Sequence, residues 1–357
     1  MYLWCGSTPK YDQRRSIVMK RIVALALALA MTVSLAACGN KSNNSDGTGS
    51  ASGGEVSYPN GKTITLICPW SAGGGSDNGV RMLVPYLEEE LGTTITVINP
   101  TGGSGWVGWE QMLHADADGM MISLVNWPTL LPGYLDPAYG RDYTLDDFQL
   151  ICNHVTDDCV IVINKDETRY TNAEEFFEYA KNNEVTFGTT GNGTDDHILM
   201  CMLNDALGTN LVQVASSGWA DNNAAIQGGH IDATAANVGE VANLAADGEV
   251  IVLCVFADEE NELLPGVPTF DSLGLCDSSI INSSQRGYAV KAGTDPAIVA
   301  ILEDAFEKAI TNAEHEEEMK KLGLKVDFIG SEEYTTLIKE QEQQLISMSD
   351  VMGWETN

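Results

Sequence analysis

Positive charge is what this sequence has least of. Its 357 residues carry 19 Lys and Arg against 51 Asp and Glu, a formal net charge of −32. So acidic a surface repels phosphate backbones and anionic headgroups, which argues against nucleic acid or anionic lipid as a partner of the folded domain. Signatures of catalysis are also missing. No Gly-x-Ser-x-Gly elbow is present. No HExxH pair occurs; His315-Glu316-Glu317-Glu318 reads as a charge run on a solvated helix face. Gly73-Gly74-Gly75-Ser76 lacks the Gly-Lys-Ser/Thr ending of a P-loop. The 5 histidines are scattered, and the 8 cysteines form neither a CxxC pair nor a Cys/His metal spacing. No metal and no cofactor is therefore expected. Cys68, Cys152, Cys159, Cys201, Cys254 and Cys276 read as buried thiols, with Cys152 and Cys159 the one pair to test for a disulfide.

The one long apolar run lies near the N-terminus. Lys20-Arg21 precede an almost wholly apolar stretch over residues 22–33, and Leu35-Ala36-Ala37-Cys38 closes it. The run is shorter than the ~20 residues a membrane span needs. A basic start, a short apolar centre and small residues before a cut mark an export signal. Leu-Ala-Ala-Cys resembles a bacterial lipobox, whose cysteine becomes the lipidated first residue, here Cys38. Residues 1–18 read as an extension upstream of a start at Met19, so 1–37 are extension plus signal. Residues 38–55 are rich in Ser, Gly and Asn and read as a flexible tether.

Past the tether, apolar strands and helical patterns alternate, which implies α/β architecture with parallel-rich sheets. The most informative stretch is Ile64-Thr65-Leu66-Ile67-Cys68-Pro69-Trp70-Ser71-Ala72-Gly73-Gly74-Gly75-Ser76-Asp77. A strand ends in Pro-Trp, three glycines follow, and a helix starts with Val80, Leu83, Val84, Leu87 and Leu91 in phase. Glycines allow close backbone approach, and the free N–H groups of a helix start attract anions. A tight turn that binds nothing is the alternative. Trp70, read as exposed, and the polar Ser76-Asp77 favour a site. Pro85 falls inside this helix and would kink or split it.

A second turn repeats the logic. The strand Val185-Thr186-Phe187-Gly188-Thr189 leads through Thr190-Gly191-Asn192-Gly193-Thr194-Asp195-Asp196-His197 into a helix. Gly103, Gly105 and Gly108 spell a dinucleotide-like G-x-G-x-x-G, but no second strand with an acidic end follows at the required distance. A glycine-rich loop lining a cleft is the reading adopted. Thr171-Asn172-Ala173-Glu174 predicts a capping box, and Asp295-Pro296 a capped helix with Pro at its first position.

Several motifs, in order, resemble the TctC-like, or Bug, extracytoplasmic solute-binding proteins of tripartite tricarboxylate transporters. They are the Pro69-to-Asp77 loop, Asn99-Pro100-Thr101-Gly102-Gly103-Ser104-Gly105, Ala117-Asp118-Gly119, the 187–197 segment, Gly228-Gly229-His230-Ile231-Asp232, and Leu264-Pro265-Gly266-Val267-Pro268-Thr269-Phe270. The resemblance spans roughly residues 60–350. It departs at Val214-Ala215-Ser216-Ser217-Gly218 and at Pro100, where small residues replace the family's cationic or aromatic ones. The resemblance implies a two-lobed, Venus-flytrap protein of the type II periplasmic-binding-protein class with a ligand cleft between lobes. Lobe 1 would be 56–155 with 285–357, and lobe 2 would be 156–284. It also implies a monomeric, non-enzymatic receptor, held outside the cytoplasm by its lipid anchor, on the outer face of a Gram-positive-type membrane or in a periplasm. Such a receptor would capture a small tricarboxylate, dicarboxylate or related organic acid for large and small membrane permease subunits. A secreted, lipid-anchored α/β enzyme and a surface adhesion protein are the alternatives.

The residues expected at the cleft are Trp70, Ser71, Gly73, Gly74, Gly75, Ser76 and Asp77 of the first turn, and Asn126 at a strand end. From the second turn come Gly191, Asn192, Gly193, Thr194 and His197, followed by Ser217, Trp219 and Asn237. With no Lys or Arg within either turn, the carboxylate would be held by backbone amides and hydroxyls. Asp77 is read mainly as an organiser of its own turn, alternatively as acceptor for an amine or hydroxyl on the ligand.

The lipobox reading is checked at Cys38. Wild-type protein should partition into the detergent phase on Triton X-114 separation, and Cys38→Ala should leave it unprocessed or shed. Unchanged membrane attachment in the variant would refute the anchor.

Overall fold

The structure, a computed structural model, describes residues 57–277, 280 and 282–354. All lie within one structural unit, Glu55–Asn357. The expected signal segment, Cys38 and the tether lie outside the described residues.

Strands and helices follow in the order β1 (Ile64–Ile67), α1 (Gly75–Leu91), β2 (Ile95–Ile98), α2 (Trp106–Leu113), β3 (Met121–Trp127), β4 (Phe148–Asn164), α3 (Ala173–Asn182), β5 (Val185–Thr189), α4 (Asp195–Leu207), β6 (Leu211–Ala215), α5 (Trp219–Gln227), β7 (Ala233–Asn237), α6 (Val238–Ala246), β8 (Val250–Val255), β9 (Ser283–Lys291), α7 (Pro296–Ile310), α8 (Ala313–Lys321), β10 (Val326–Gly330) and α9 (Ser331–Ser347).

Helix α1 shows why these residues form their elements. Val80, Leu83, Leu87 and Leu91 repeat at helical spacing and are buried. They pack with Leu302 and Phe306 of α7, and Tyr288 of β9 stacks on Phe306 at 4.4 Å. Pro85 does not split the helix, which runs unbroken over 17 residues to Gly92 in the left-handed conformation. The proline lies on the exposed face, as does Arg81, whose carbonyl it deprives of a donor. Water can take that bond there. The capping box at α3 is shifted from the expected one. Asn172, not Thr171, is the N-cap and accepts from the Glu175 N–H at 2.8 Å, while the Glu175 carboxylate takes the Thr171 N–H at 2.8 Å. Asn outranks Thr as an N-cap.

Two parallel triplets form the ends of the sheet system, β2-β1-β3 and β7-β5-β6. The strands that join them are antiparallel, so the parallel-rich expectation holds only for the triplets. β3 pairs with β9, and β9 pairs with β4 from Phe148 to Asp158. The remainder of β4, beyond this ladder, pairs with β7 and β8. One 17-residue strand thus belongs to both ends. This geometry also decides the cysteine question. Cys152 and Cys159 sit seven positions apart on that strand, and at about 3.3 Å per residue their Cα atoms are on the order of 20 Å apart. A disulfide needs roughly 4.4–6.8 Å, and both thiols are free and buried.

The ladder is tight at Gly287 of β9, where a Cβ would overlap the Tyr334 hydroxyl and the Cys152 carbonyl. Gly287→Ala should therefore cost about 1–3 kcal/mol, the range for overpacked cores. Urea unfolding measures this, and an unchanged midpoint would show that α9 yields without penalty.

Candidate functional site

The first glycine turn carries the chain from the buried end of β1 into α1. Its organiser is Asp77, 1% exposed. One carboxylate oxygen accepts from the Gly73 N–H and from Arg81 Nε, both at 2.8 Å, and the other from Asn99 Nδ2 at 2.9 Å. Burial pushes the Asp77 carboxyl up, but the bonds from Arg81, Gly73 and Asn99 outweigh it and hold the group below its ordinary range. Asn99 Nδ2 also reaches the Trp70 carbonyl at 2.9 Å. Trp70 is half-buried rather than exposed, because its Nε1 donates to Asn126 Oδ1 at 2.7 Å and its ring stands edge-on to Trp109 at 6.4 Å. Ser71, Gly73, Gly74 and Gly75 are exposed. The Gly74 N–H is already bound by the Ser71 carbonyl at 3.2 Å. Among the described residues the Gly75 and Ser76 N–H groups, in the first helical turn, have no acceptor.

The second turn is braced in the same manner by Asp196, which accepts from Thr190 N–H at 3.0 Å and from Thr190 Oγ1 at 2.7 Å. Thr194 caps α4 and donates to the Gly191 carbonyl at 3.0 Å. His197 Nδ1 accepts from the Gly193 N–H at 3.2 Å, so the imidazole holds its own turn. Burial lowers its pKa. Asn192 is exposed, whereas Gly193 is buried against Pro132, whose Cβ would lie 2.9 Å from an added Cβ. The second turn therefore touches the segment that follows β3.

Other expected residues face elsewhere. Ser217 Oγ donates to Asp221 of α5, the helix it precedes. Trp219 packs on the apolar cluster of Ile226, Val238 and Val241. No hydrogen bond or ring contact among the described residues joins either one to a glycine turn. Asn237 is 7% exposed and fully engaged. It caps α6 in a capping box with Glu240, and its Nδ2 donates to the Asp157 carbonyl and to Asp195 Oδ2, each at 3.0 Å.

Asn237 leads to what sequence reasoning missed. Asp157, in the middle of β4, accepts from the Gly239 N–H at 2.9 Å and from Arg286 Nη2 of β9 at 3.0 Å. Arg286 is 9% exposed, and its Nη1 has no partner among the described residues. A recess of about 10 Å³ adjoins it, bordered also by Gly75, Ser76 and His154. A polar chain thus runs from Asp195 at the second turn, through Asn237, Asp157 and Arg286, to the start of α1. The signal in the sequence was slight, a cation two residues before the apolar run Tyr288-Ala289-Val290.

Burial dominates the ionisation of this region. It pushes Glu240 up to about 8, assisted by the charge of Asp196, and Asp196 up to about 7, assisted by Asp195. It raises Asp157 more than Arg286 and the Gly239 N–H lower it. Cys159 Sγ and the Asp195 and Asp196 carboxylates lie within 4.8 Å of one another. Burial keeps that thiol protonated, and it donates to Asp195 at 3.4 Å. The group is thus satisfied internally. On β4, His154 Nε2 lies 3.0 Å from His315 Nε2, with both rings driven toward neutrality by burial. Two other cavities among the described residues, of 650 and 420 Å³, are not bordered by the glycine turns. The former is lined by acids such as Glu259, Glu262 and Glu317.

Paired α/β ends joined by long antiparallel strands, with glycine turns at strand ends, define the class of periplasmic-binding-protein-like solute receptors. The model of the tripartite tricarboxylate transporter family receptor, TctC, matches residues 80–351, and the chain belongs to that family. A Cupriavidus necator protein described as the UPF0065 protein in the gbd 5′ region is 26% identical over 301 residues, covering 82% of this chain and 88% of its own. A TctC solute-binding protein from Polaromonas, solved with no ligand, superposes with a TM-score of 0.70 at 25% identity, covering 82% of this chain and 99% of its own. R. palustris Rpa4515 with adipate shares the fold at a TM-score of 0.71 and 18% identity, covering 83% and 99%. The family resemblance carried by the motifs holds.

The buried carboxyls give a pH signature. Their folded-state pKa values are raised, so the stability they contribute is present below the ordinary carboxyl range and is lost as pH rises through about 7 and about 8. From about pH 5 up to about pH 7 for Asp196 and about pH 8 for Glu240 thermal stability should therefore fall, by up to about 1.4 kcal/mol per pH unit for each group, and level off above. Glu240→Gln keeps an acceptor for the Asn237 N–H and should flatten the slope. An equally steep slope in the variant would assign the effect elsewhere.

Proposed function

We propose that this protein is an extracytoplasmic receptor that captures a small organic carboxylate and hands it to the large and small permease subunits of a tripartite tricarboxylate transporter. It binds without turnover. The observation that carries the reading is the pair of unsatisfied N–H groups of Gly75 and Ser76 at the start of a 17-residue helix, in an exposed turn braced from behind by Asp77. Such a helix start attracts a carboxylate through its dipole and its free donors. Hydrogen bonds to a charged group are worth ~1.5–3 kcal/mol each. A few of them reach the roughly −8 kcal/mol of a micromolar complex only when ordering costs stay small. Family membership supports the receptor role, and a protein of the same fold was solved with adipate.

In this reading the lobes are residues 56–155 with 285–357 and residues 156–284, and β4 and β9 are the strands that cross between them. The second turn, with Asn192 and Thr194, closes onto the ligand from the other lobe by a hinge. The chain acts as a monomer tethered through lipidated Cys38.

Calorimetry with succinate, malate, adipate and citrate tests this. At least one should bind with about micromolar affinity, and X-ray scattering should show a smaller radius of gyration on saturation. A Cβ at Gly75 meets nothing within 4 Å, so Gly75→Val should fold normally and bind at least tenfold more weakly. Wild-type affinity in that variant, with no change in radius, would sink the cleft at the first turn.

A further inference from the structure

Arg81 at the first turn is spent on Asp77 and Asn99, and the buried Arg286 supplies a further cation. We propose that Arg286 receives one oxygen of the ligand's carboxylate at the base of the first glycine turn, with the Gly75 and Ser76 N–H groups as co-donors. This rests on the reading of the chain as a carboxylate receptor.

The argument begins with an imbalance. A guanidinium is costly to bury, and native structures compensate with full sets of hydrogen bonds. Arg286 is 9% exposed, yet among the described residues its guanidinium has one partner, Asp157 at 3.0 Å from Nη2, and Nη1 has no acceptor. The guanidinium fork is planar and presents its donors in fixed geometry. With Asp157 fixing one arm, the other is held in place by the pairing of β9 with β4, where Arg286 lies opposite Val155.

The recess that adjoins Arg286 is also bordered by Gly75 and Ser76, whose N–H groups have no acceptor among the described residues, and otherwise mainly by apolar side chains such as Val80, Leu124 and Met319. Two independent sources of positive potential, a side chain and a helix start, thus share one small space. At about 10 Å³ that space holds a single water-sized group. It suits one carboxylate oxygen, with the carbon skeleton outside toward the exposed turn. His154 also borders the recess and is neutral, so it adds no charge. An ammonium group would meet Arg286 head-on, so the end of the ligand that enters first is a carboxylate and not an amine.

The test compares the two ends of the buried pair, using succinate, malate, adipate and citrate as probes. Arg286→Gln should weaken binding at least tenfold, whereas Asp157→Asn, which removes the competing carboxylate, should tighten it severalfold. A purely structural ion pair would move both variants in the same direction, and that result would overturn the proposal. Wild-type affinity in Arg286→Gln would overturn it too and assign the recess to a water. If Arg286→Gln does not fold, the double variant Asp157→Asn/Arg286→Gln restores a neutral pair. It should fold and remain at least tenfold weaker than wild type, and wild-type affinity there would also overturn the proposal. If the wild-type protein binds none of the four acids, the receptor reading fails and takes this inference with it.

Discussion

A guanidinium and a carboxylate are buried together where two long strands run side by side, and the rest of the molecule is arranged about that pair. Arg286 on β9 and Asp157 on β4 meet at 3.0 Å. Breaking such a pair from one end generally costs about 3–5 kcal/mol, because the remaining charge has nowhere to go. The two strands must therefore stay in register at this point. Their register decides which end of the sheet each remaining element joins: β1, β2 and β3 through β9, and β5, β6, β7 and β8 through the later half of β4. Asp157 also takes the Gly239 N–H at the start of α6. One carboxylate thus ties a strand from each region to a helix start.

A protein of net charge −32 that attracts an anion presents an electrostatic problem, and the local geometry resolves it. Exposed charges are screened over a Debye length of roughly 8 Å at physiological salt. At contact distance the nearest donors decide. The acids beside the turns spend their lone pairs inward: Asp77 on Gly73, Arg81 and Asn99, and Asp196 on Thr190. By doing so they fix the turns and leave the N–H groups of the helix starts pointing outward. Half-buried Glu240, its carboxyl pushed up to about 8, is mostly protonated at neutral pH and adds little negative potential.

Much of this frame was legible from short-range pattern. The glycine turns lie between a strand and a helix as their residues dictate, Asp295 caps α7 with Pro296 at its first position, and Val80, Leu83, Leu87 and Leu91 mark the face of α1. What pattern could not reach depends on partners distant along the chain. Arg286 is a cation in the middle of a buried strand until Asp157, 129 residues earlier, is placed beside it. Asn237 is expected at the cleft, but its amide is consumed by the Asp157 carbonyl and by Asp195. Ser217 and Trp219 follow a strand in the expected place, yet the first bonds to Asp221 of the helix that comes after it and the second joins an apolar cluster. Local propensity says where a side chain begins and not what it will meet.

The interior also inverts the usual order in which acids and bases titrate. Histidine ordinarily gains its proton near pH 6.5, and carboxyls lose theirs near 4. Here His315 is pushed down to about 4, while Asp196 and Glu240 are pushed up to about 7 and about 8. Burial drives both displacements, because low polarity favours whichever form is uncharged. The proton buffering of the folded interior near neutrality therefore comes from carboxylic acids, and a heat of reaction that disturbs this region will vary with the ionisation enthalpy of the buffer that exchanges those protons.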